Sequence, residues 1–361
     1  MSITEQLAPE INMEEAETFM MKVGEIVNSG AVAVMLSIGH KTGLLDSMAG
    51  TGVKTSQQIA NMSDLSERYV REWLAVMVTG GIVKYYPEGQ AYELPDTHAA
   101  CLTRNAPLGN LAVHAQFIPM VGAIEDPILE CFKTGEGTSY GDYPCFHQIM
   151  SEDSDGSVVA NLFQEILPLV PGLADRLKQG IDVLDAGCGR GHALSKLAEH
   201  FPKSRFFGYD LCDDAIASAR EYARELDVTN VSFEVRDLTD FEDKGRFDLI
   251  TSFDAVHDQK HPEDFIHRLK QALRPDGVYL MQDIGGSSKL ENNYEFPFAA
   301  FLYTASCLHC MPISLGQGGD GLGTMWGWEV AEHMLQQAGY KSIERHVFEH
   351  DPLSVWFISK T

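Results

Sequence analysis

The 361-residue chain is longer than one average domain and has ample apolar content to bury two cores. Its 27 Lys plus Arg stand against 52 Asp plus Glu, a formal net charge of −25 that repels phosphate backbones and anionic bilayers, so neither nucleic acid nor a membrane surface is an expected partner. Cysteines at 101, 131, 145, 188, 212, 307 and 310 lack disulfide-scaffold spacing and suit a reducing, cytoplasmic setting; Glu5, Glu10, Glu14 and Glu15 break up any signal peptide, and no uninterrupted apolar run of membrane-spanning length is evident.

Residues 1–14 read as a loose tail. From Glu15 to Thr42 apolar residues recur at helical spacing, Phe19, Val23, Ile26 and Val27 and then Ala31, Val34, Met35 and Ile38, with Ser29-Gly30 as a break between two helices. Thr55 with Gln58 three residues on is a helix-start signal. Ser66–Val78 gives a further helix stopped by Gly80-Gly81, and Ile82–Tyr86 and Ala91–Leu94 form a hairpin around Pro87-Glu-Gly-Gln90. Helices followed by a wing describe a winged-helix domain over residues 15–105. Its candidate recognition helix, Glu67-Arg-Tyr-Val-Arg-Glu-Trp73, carries two arginines and two glutamates, so base readout lacks electrostatic support and the domain reads as architecture. Residues 106–174 form a helical connector with a turn-rich segment, Gly135–Pro144.

The run Val183-Leu-Asp-Ala-Gly-Cys-Gly-Arg-Gly191 is an apolar strand that ends in an acid and turns through three alternating glycines into a helix at 192–200. Dinucleotide sites use a related glycine pattern to hold a pyrophosphate, but Asp185, two residues before the first glycine, would repel one and suits a ligand with an α-amino cation. Further strands follow: Ser204–Tyr209 before Asp210, Val231–Val235 before Asp237, Phe247–Phe253 before Asp254, Val278–Asp283, and a final pair, Ser342–Phe348 and Ser354–Ile358, after a helix at Glu329–Ala338. Acids at the carboxyl edge of a parallel sheet line the crevice where open α/β sheets bind ligands. Between the fifth strand and its helix, residues 285–325 exceed a simple connection and are expected to form a wall or lid.

The glycine run, Asp210 and Asp237-Leu238 together resemble the class I S-adenosylmethionine-dependent methyltransferases over roughly residues 175–361. The resemblance implies an α/β, Rossmann-like seven-stranded sheet behind an N-terminal winged-helix domain, with S-adenosylmethionine as cofactor. By it, Asp185, Gly187, Gly189 and Gly191 hold the methionine end, Asp210 the ribose, and Asp237 and Leu238 the adenine, with Leu211, Phe253 and Tyr140 beside the donor. Winged-helix segments of this kind precede the catalytic domain in plant-type small-molecule O-methyltransferases and a related bacterial and animal group. There they dimerise and cover the substrate pocket, which implies a homodimer here.

Methyl transfer is an in-line displacement at a sulfonium carbon, so the protein positions the reactants and removes a proton when the acceptor is an alcohol, phenol or thiol. Ser252-Phe-Asp-Ala-Val-His-Asp258 resembles the plant-type stretch whose His-Asp pair supplies the base, which implies His257 as general base and Asp258 as its neighbour. The later plant-type acids are reduced here to Glu329 in Gly323-Thr-Met-Trp-Gly-Trp-Glu329, leaving Glu329, Asp283 or neither to orient His257. Gly135–Pro144 with Cys145-Phe-His147 resembles an aromatic segment near the donor, implying Tyr143 and Phe146 in a small-molecule acceptor pocket. The insertion supplies the further acceptor candidates His309, Met325 and Trp326. Oxygen is the acceptor atom implied, with thiol sulfur and ring nitrogen as alternatives; a catalytically silent S-adenosylmethionine-binding regulator is the alternative of another class. Cys307-Leu-His-Cys310 has zinc-like spacing without a second cysteine pair, so no metal is expected there. Gly316–Gly323 reads as a hinge.

Overall fold

A long amphipathic segment opens the described part of the chain and keeps winding where the sequence suggested a break. The computed structural model describes residues 11–361, and residues 1–10 of the expected tail lie outside them. One helix runs unbroken from Met13 to Lys41, capped by the Asn12 side chain, which accepts from the Glu15 amide at 3.4 Å. The tail expected to reach residue 14 therefore ends earlier, and the two expected helices are one. A single glycine costs a helix only about 1 kcal/mol relative to alanine, and nothing crowds Gly30. By length and composition this helix, like the stretch Ala299–Gly316, could span a bilayer, contrary to the expectation of no such run.

The chain divides into two units, one ending at Pro119 and the other starting at Met120, so the connector expected at 106–174 is shared between them. In the first unit, Thr55 and Gln58 form a reciprocal capping box at the start of helix Ser56–Ser63. Helix Glu67–Thr79 buries Val70, Trp73, Leu74 and Met77 against Leu44, Leu45 and Ile59, and the Trp73 indole donates to the Met35 carbonyl at 2.8 Å. Arg68 and Arg71 are paired with Glu72 and Glu67 of the same helix. The wing is a three-stranded sheet of β1 (Lys54–Thr55), β2 (Lys84–Tyr86) and β3 (Ala91–Glu93), in the order β1-β3-β2.

The second unit is built on β4 (Asp182–Ala186), β5 (Arg205–Asp210), β6 (Val231–Val235), β7 (Phe247–Phe253), β8 (Leu273–Ile284), β9 (Ser342–Phe348) and β10 (Asp351–Lys360), ordered β6-β5-β4-β7-β8-β10-β9. Strands β4 to β8 pair in parallel, and β10 runs antiparallel to both its neighbours. Alternation along each strand sends side chains to two cores. Val183, Leu280, Trp356 and Ile358 pack with helices His192–His200 and Asp213–Glu225 on one side; Leu184, Tyr279, Met281, Val355 and Phe357 pack with helices Pro262–Ala272 and Trp328–Gln337 on the other. The strand order reverses between β4 and β7, and the crevice at such a switch point, outside the carboxyl ends of the strands, is where open sheets bind ligands.

The insertion after β8 is largely helical: Ala299–Ala305, a π-helical turn at Ser306–Cys310, then Met311–Gly316. Its glycine-rich end, read as a hinge, comes close to neighbouring backbone at Gly319. A Cβ on Gly319 would lie 2.3 Å from the Lys260 carbonyl oxygen, which accepts from the Asp320 amide at 2.9 Å.

Candidate functional site

The loop after β4 is held by its neighbours before any ligand arrives. The amides of Gly187 and Cys188 both donate to the Tyr209 carbonyl of β5, at 2.9 and 3.1 Å. Gly191 has φ +69°, and a Cβ there would sit 2.5 Å from the Phe233 ring, so only glycine lets the following helix start this close to the sheet. Asp210, at the end of β5, accepts from the Gly189 amide at 2.8 Å through one oxygen and from the Cys212 amide at 2.9 Å through the other. Burial raises its pKa against the pull of those two amides. Asp185 is buried and accepts from Thr251 Oγ1 at 2.7 Å; burial, only partly offset by that bond, pushes its carboxyl up to about 7. Asp237 accepts from both the amide and hydroxyl of Thr239, at 2.9 and 2.6 Å, which fixes the turn after β6.

These groups face one cleft, lined by Asp185, Gly187, Gly189, Gly191, Asp210, Leu211, Asp237, Leu238, Phe253 and Tyr140, so the structure brings together all ten residues assigned to the donor from sequence. Asp254 and Asp258 extend the cleft beyond the β7 edge, with Phe146 and Gln317. Asp254 adopts φ +48°, and burial together with the neighbouring Asp283 raises its carboxyl to about 8.

His257 does not line this cleft. It is 4% exposed and stands behind Asp258. Its Nδ1 lies 2.7 Å from Asp283 Oδ1 and its Nε2 lies 3.4 Å from Asp258 Oδ1. Burial disfavours the imidazolium, but the carboxylates of Asp283 and Asp258 outweigh it and hold the His257 pKa well above the ordinary 6.5. Asp283 Oδ1 also accepts from the Ile284 amide at 2.8 Å and from the Trp326 indole at 3.0 Å. Of the acids left open by the sequence, the partner is thus Asp283; Glu329 instead accepts from Ser287 Oγ and the Ser288 amide, at 2.6 and 2.8 Å.

The aromatic residues form a wall at this end. His309 stacks on Phe146 with ring centroids 4.0 Å apart and meets Tyr143 edge-on at 4.5 Å. Burial lowers its pKa to about 4, so the ring is neutral. The Tyr140 hydroxyl reaches Asp258 Oδ2 at 3.4 Å, joining the wall to the cleft. Tyr143 turns its hydroxyl away, donating to the Leu308 carbonyl at 2.8 Å. Trp326 and Met325 are buried and do not line the cleft: Trp326 holds Asp283, and the Met325 methyl packs over Gly286. Cys310, from the Cys307-Leu-His-Cys310 run, is buried on the π-helical turn; Thr324 Oγ1 donates to its sulfur at 2.8 Å, and burial raises its thiol to about 11.

Residues 30–104 match the family model of an Rv2258c-like winged HTH domain, and residues 177–343 match that of a methyltransferase domain. Malonyl-[acyl-carrier protein] O-methyltransferase of Acetivibrio thermocellus is 30% identical over 121 residues, 33% of this chain and 41% of that one, so the chain spans less than half the length of this curated relative. Two solved structures are similar over almost the whole chain. Human N-acetylserotonin methyltransferase, solved with SAM, gives a TM-score of 0.67 at 12% identity over 99% of both chains. Mitomycin 7-O-methyltransferase gives 0.64 at 16% identity over 97% of this chain and 100% of that one. At such identities the likeness is one of fold.

Proposed function

We propose that this chain, a class I S-adenosylmethionine-dependent methyltransferase with an N-terminal winged-helix domain, moves the donor's methyl group to a small-molecule acceptor, with oxygen as the acceptor atom and His257 as the group that takes its proton. The observation that carries this is the convergence of strand-end carboxylates and the glycine loop on one cleft whose far end, Asp258, is backed by the His257–Asp283 pair. The donor fits the residues present: Asp185 offers its α-ammonium a buried carboxyl that is ionised above about pH 7, Asp210 keeps lone pairs free for ribose hydroxyls, and Leu238 gives an apolar contact for adenine. When bound, the donor supplies an electrophilic methyl on sulfonium. Asp283 orients the His257 ring, which acts as base in the fraction left deprotonated by its raised pKa, and Tyr140 and Phe146, backed by the buried His309, give the acceptor an aromatic surface to lie on. Release of S-adenosylhomocysteine across a panel of phenols, thiols and pyridines tests the reading; donor binding without turnover on any of them would favour the silent regulator instead.

Donor affinity should rise with pH through about 7. Below that value the Asp185 carboxyl is increasingly protonated and its attraction for the α-ammonium is lost, by at most about tenfold per unit. In the donor-free protein the same group makes folding less favourable as pH rises from about 4 to about 7, because the unfolded carboxyl releases its proton first. Calorimetric titration at pH 6, 7 and 8 measures the effect, and a flat profile removes Asp185 from the donor's amino group.

The winged-helix unit is proposed to serve assembly rather than DNA. Phe19, Met20, Met21, Ile26 and Val27 are each more than half exposed on helix Met13–Lys41, an apolar face suited to a second copy, while both recognition-helix arginines are neutralised within their own helix. Light scattering at micromolar concentration should report a dimer, and duplex DNA should not retain the protein at physiological salt. A monomer, or salt-sensitive retention on DNA, would contradict this.

A further inference from the structure

The acceptor end of the cleft holds more negative charge than its own groups balance. Asp283, Asp258 and Asp254 surround one imidazole. Asp283 is fully buried and Asp258 is 8% exposed, yet Oδ2 of the first and Oδ1 of the second have no hydrogen-bond donor. Buried carboxylate oxygens in folded proteins are paired or coordinate metal ions. The unpartnered oxygen of Asp258 faces His257 Nε2, the ring nitrogen left over once Nδ1 is engaged by Asp283.

We infer that His257 Nε2, Asp258 Oδ1 and Cys310 Sγ form a binding site for a divalent cation of the zinc class, with the remaining coordination position left for the acceptor. Ligand atoms of these three residues lie within 4.8 Å of one another. Zinc bonds of about 2.0–2.3 Å set tetrahedral ligand atoms roughly 3.3–3.7 Å apart, so the cluster closes on an ion by shifts of about an ångström. One imidazole, one carboxylate and one thiolate are a zinc donor set, and three protein ligands with a fourth position open are the pattern of catalytic rather than structural zinc. The surroundings fit as well. A carboxylate on the far nitrogen of a ligating histidine fixes its tautomer, as Asp283 does here, and Asp283 is itself held by the Trp326 indole and the Ile284 amide. Thr324 donates to the Cys310 sulfur, a bond that a metal-bound thiolate would keep. Cys307, the other cysteine of the zinc-like run from which no metal was expected, has no part in the cluster; Cys310 meets His257 and Asp258 across the fold.

The inference rests on the reading of this corner as the acceptor end. In the metal-free chain His257 remains the group that takes the acceptor's proton; with the cation bound its Nε2 is a ligand, and the cation would lower the acceptor's pKa instead. The test is a titration of the chelator-stripped full chain with Co²⁺, whose visible spectrum reports geometry and whose near-ultraviolet charge-transfer band reports a sulfur ligand. One equivalent is expected to bind with a tetrahedral spectrum and a charge-transfer band, and to be displaced by Zn²⁺. Cys310→Ser should abolish the band and weaken binding at least ~10-fold, Asp258→Asn should weaken it, and Cys307→Ser should change neither. No saturable uptake, or a band that survives Cys310→Ser, overturns the site. Donor binding by calorimetry on the same stripped protein keeps the two readings apart: loss of donor affinity in the wild-type chain strikes the methyl-transfer reading, whereas donor binding without Co²⁺ uptake strikes the cation alone. Retained donor affinity in Cys310→Ser also shows that the variant is folded.

Discussion

Replacing His257 by alanine is expected to lower S-adenosylhomocysteine release by about 10² to 10⁴-fold at pH 7 and to leave donor affinity nearly unchanged. Both halves follow from where the ring sits. It is buried behind Asp258 and outside the lining of the donor cleft, so its removal takes nothing from the donor's contacts. Its Nδ1 is held at 2.7 Å by an acid that two further donors fix in place, so Nε2 is aimed at the acceptor end without freedom to wander. The pH response of the variant reports the acceptor: a thiol increasingly deprotonates itself as pH approaches ~8.5, so the deficit shrinks, whereas an unactivated alcohol regains little. Wild-type turnover in the variant at pH 7 would remove His257 from the reaction and leave catalysis to positioning.

Asp210→Ala should weaken S-adenosylmethionine binding at least ~10-fold by calorimetry, since charge-assisted bonds to ribose hydroxyls are worth a few kcal/mol. The geometry adds a second cost. The Asp210 carboxylate bridges the Gly189 amide of the β4 loop and the Cys212 amide of the β5 loop, so the variant loses the clamp between the two loops as well as the sugar contact. Asp210→Asn is informative for the same reason: its amide group can turn only one oxygen toward two amide donors. Unchanged affinity in the alanine variant would exclude Asp210 from the site.

The donor half of the cleft was legible in the sequence because it is local. Each strand announces itself by apolar composition and ends at an acid, and a parallel sheet brings those ends to one edge whatever the details of packing, which is why Asp185, Asp210, Asp237 and Asp254 meet. The acceptor half depends on register between distant segments. That Asp283 rather than Glu329 holds His257 follows from the pairing of Phe253 with Gln282 across β7 and β8, which no spacing along the chain reveals. Met325 and Trp326 were placed against the acceptor because they stand at the end of the insertion expected to wall it, but the Trp326 indole is spent on Asp283. The first helix was divided at Ser29-Gly30 because local propensity was given too much weight: an isolated glycine weakens a helix by less than its continuation gains.

The π-helical turn at Ser306–Cys310 makes the acceptor end sensitive to chain length rather than to composition. One residue more than an α-helix needs is wound into the stretch from Ala299 to Gly316, and it is this surplus that puts both His309 and Cys310 on the inner side. Deleting a single residue there would let the stretch wind regularly and rotate everything beyond it by about 100°. The downstream part cannot follow freely: the Pro312 carbonyl accepts from the Thr138 amide, and Ser314 Oγ ties the Gln259 carbonyl to the Gly321 amide. A deletion must therefore break those anchors or swing His309 and Cys310 out of the pocket, so a one-residue gain or loss in this helix would rewrite the acceptor wall in a single step, where point substitutions would alter it one side chain at a time.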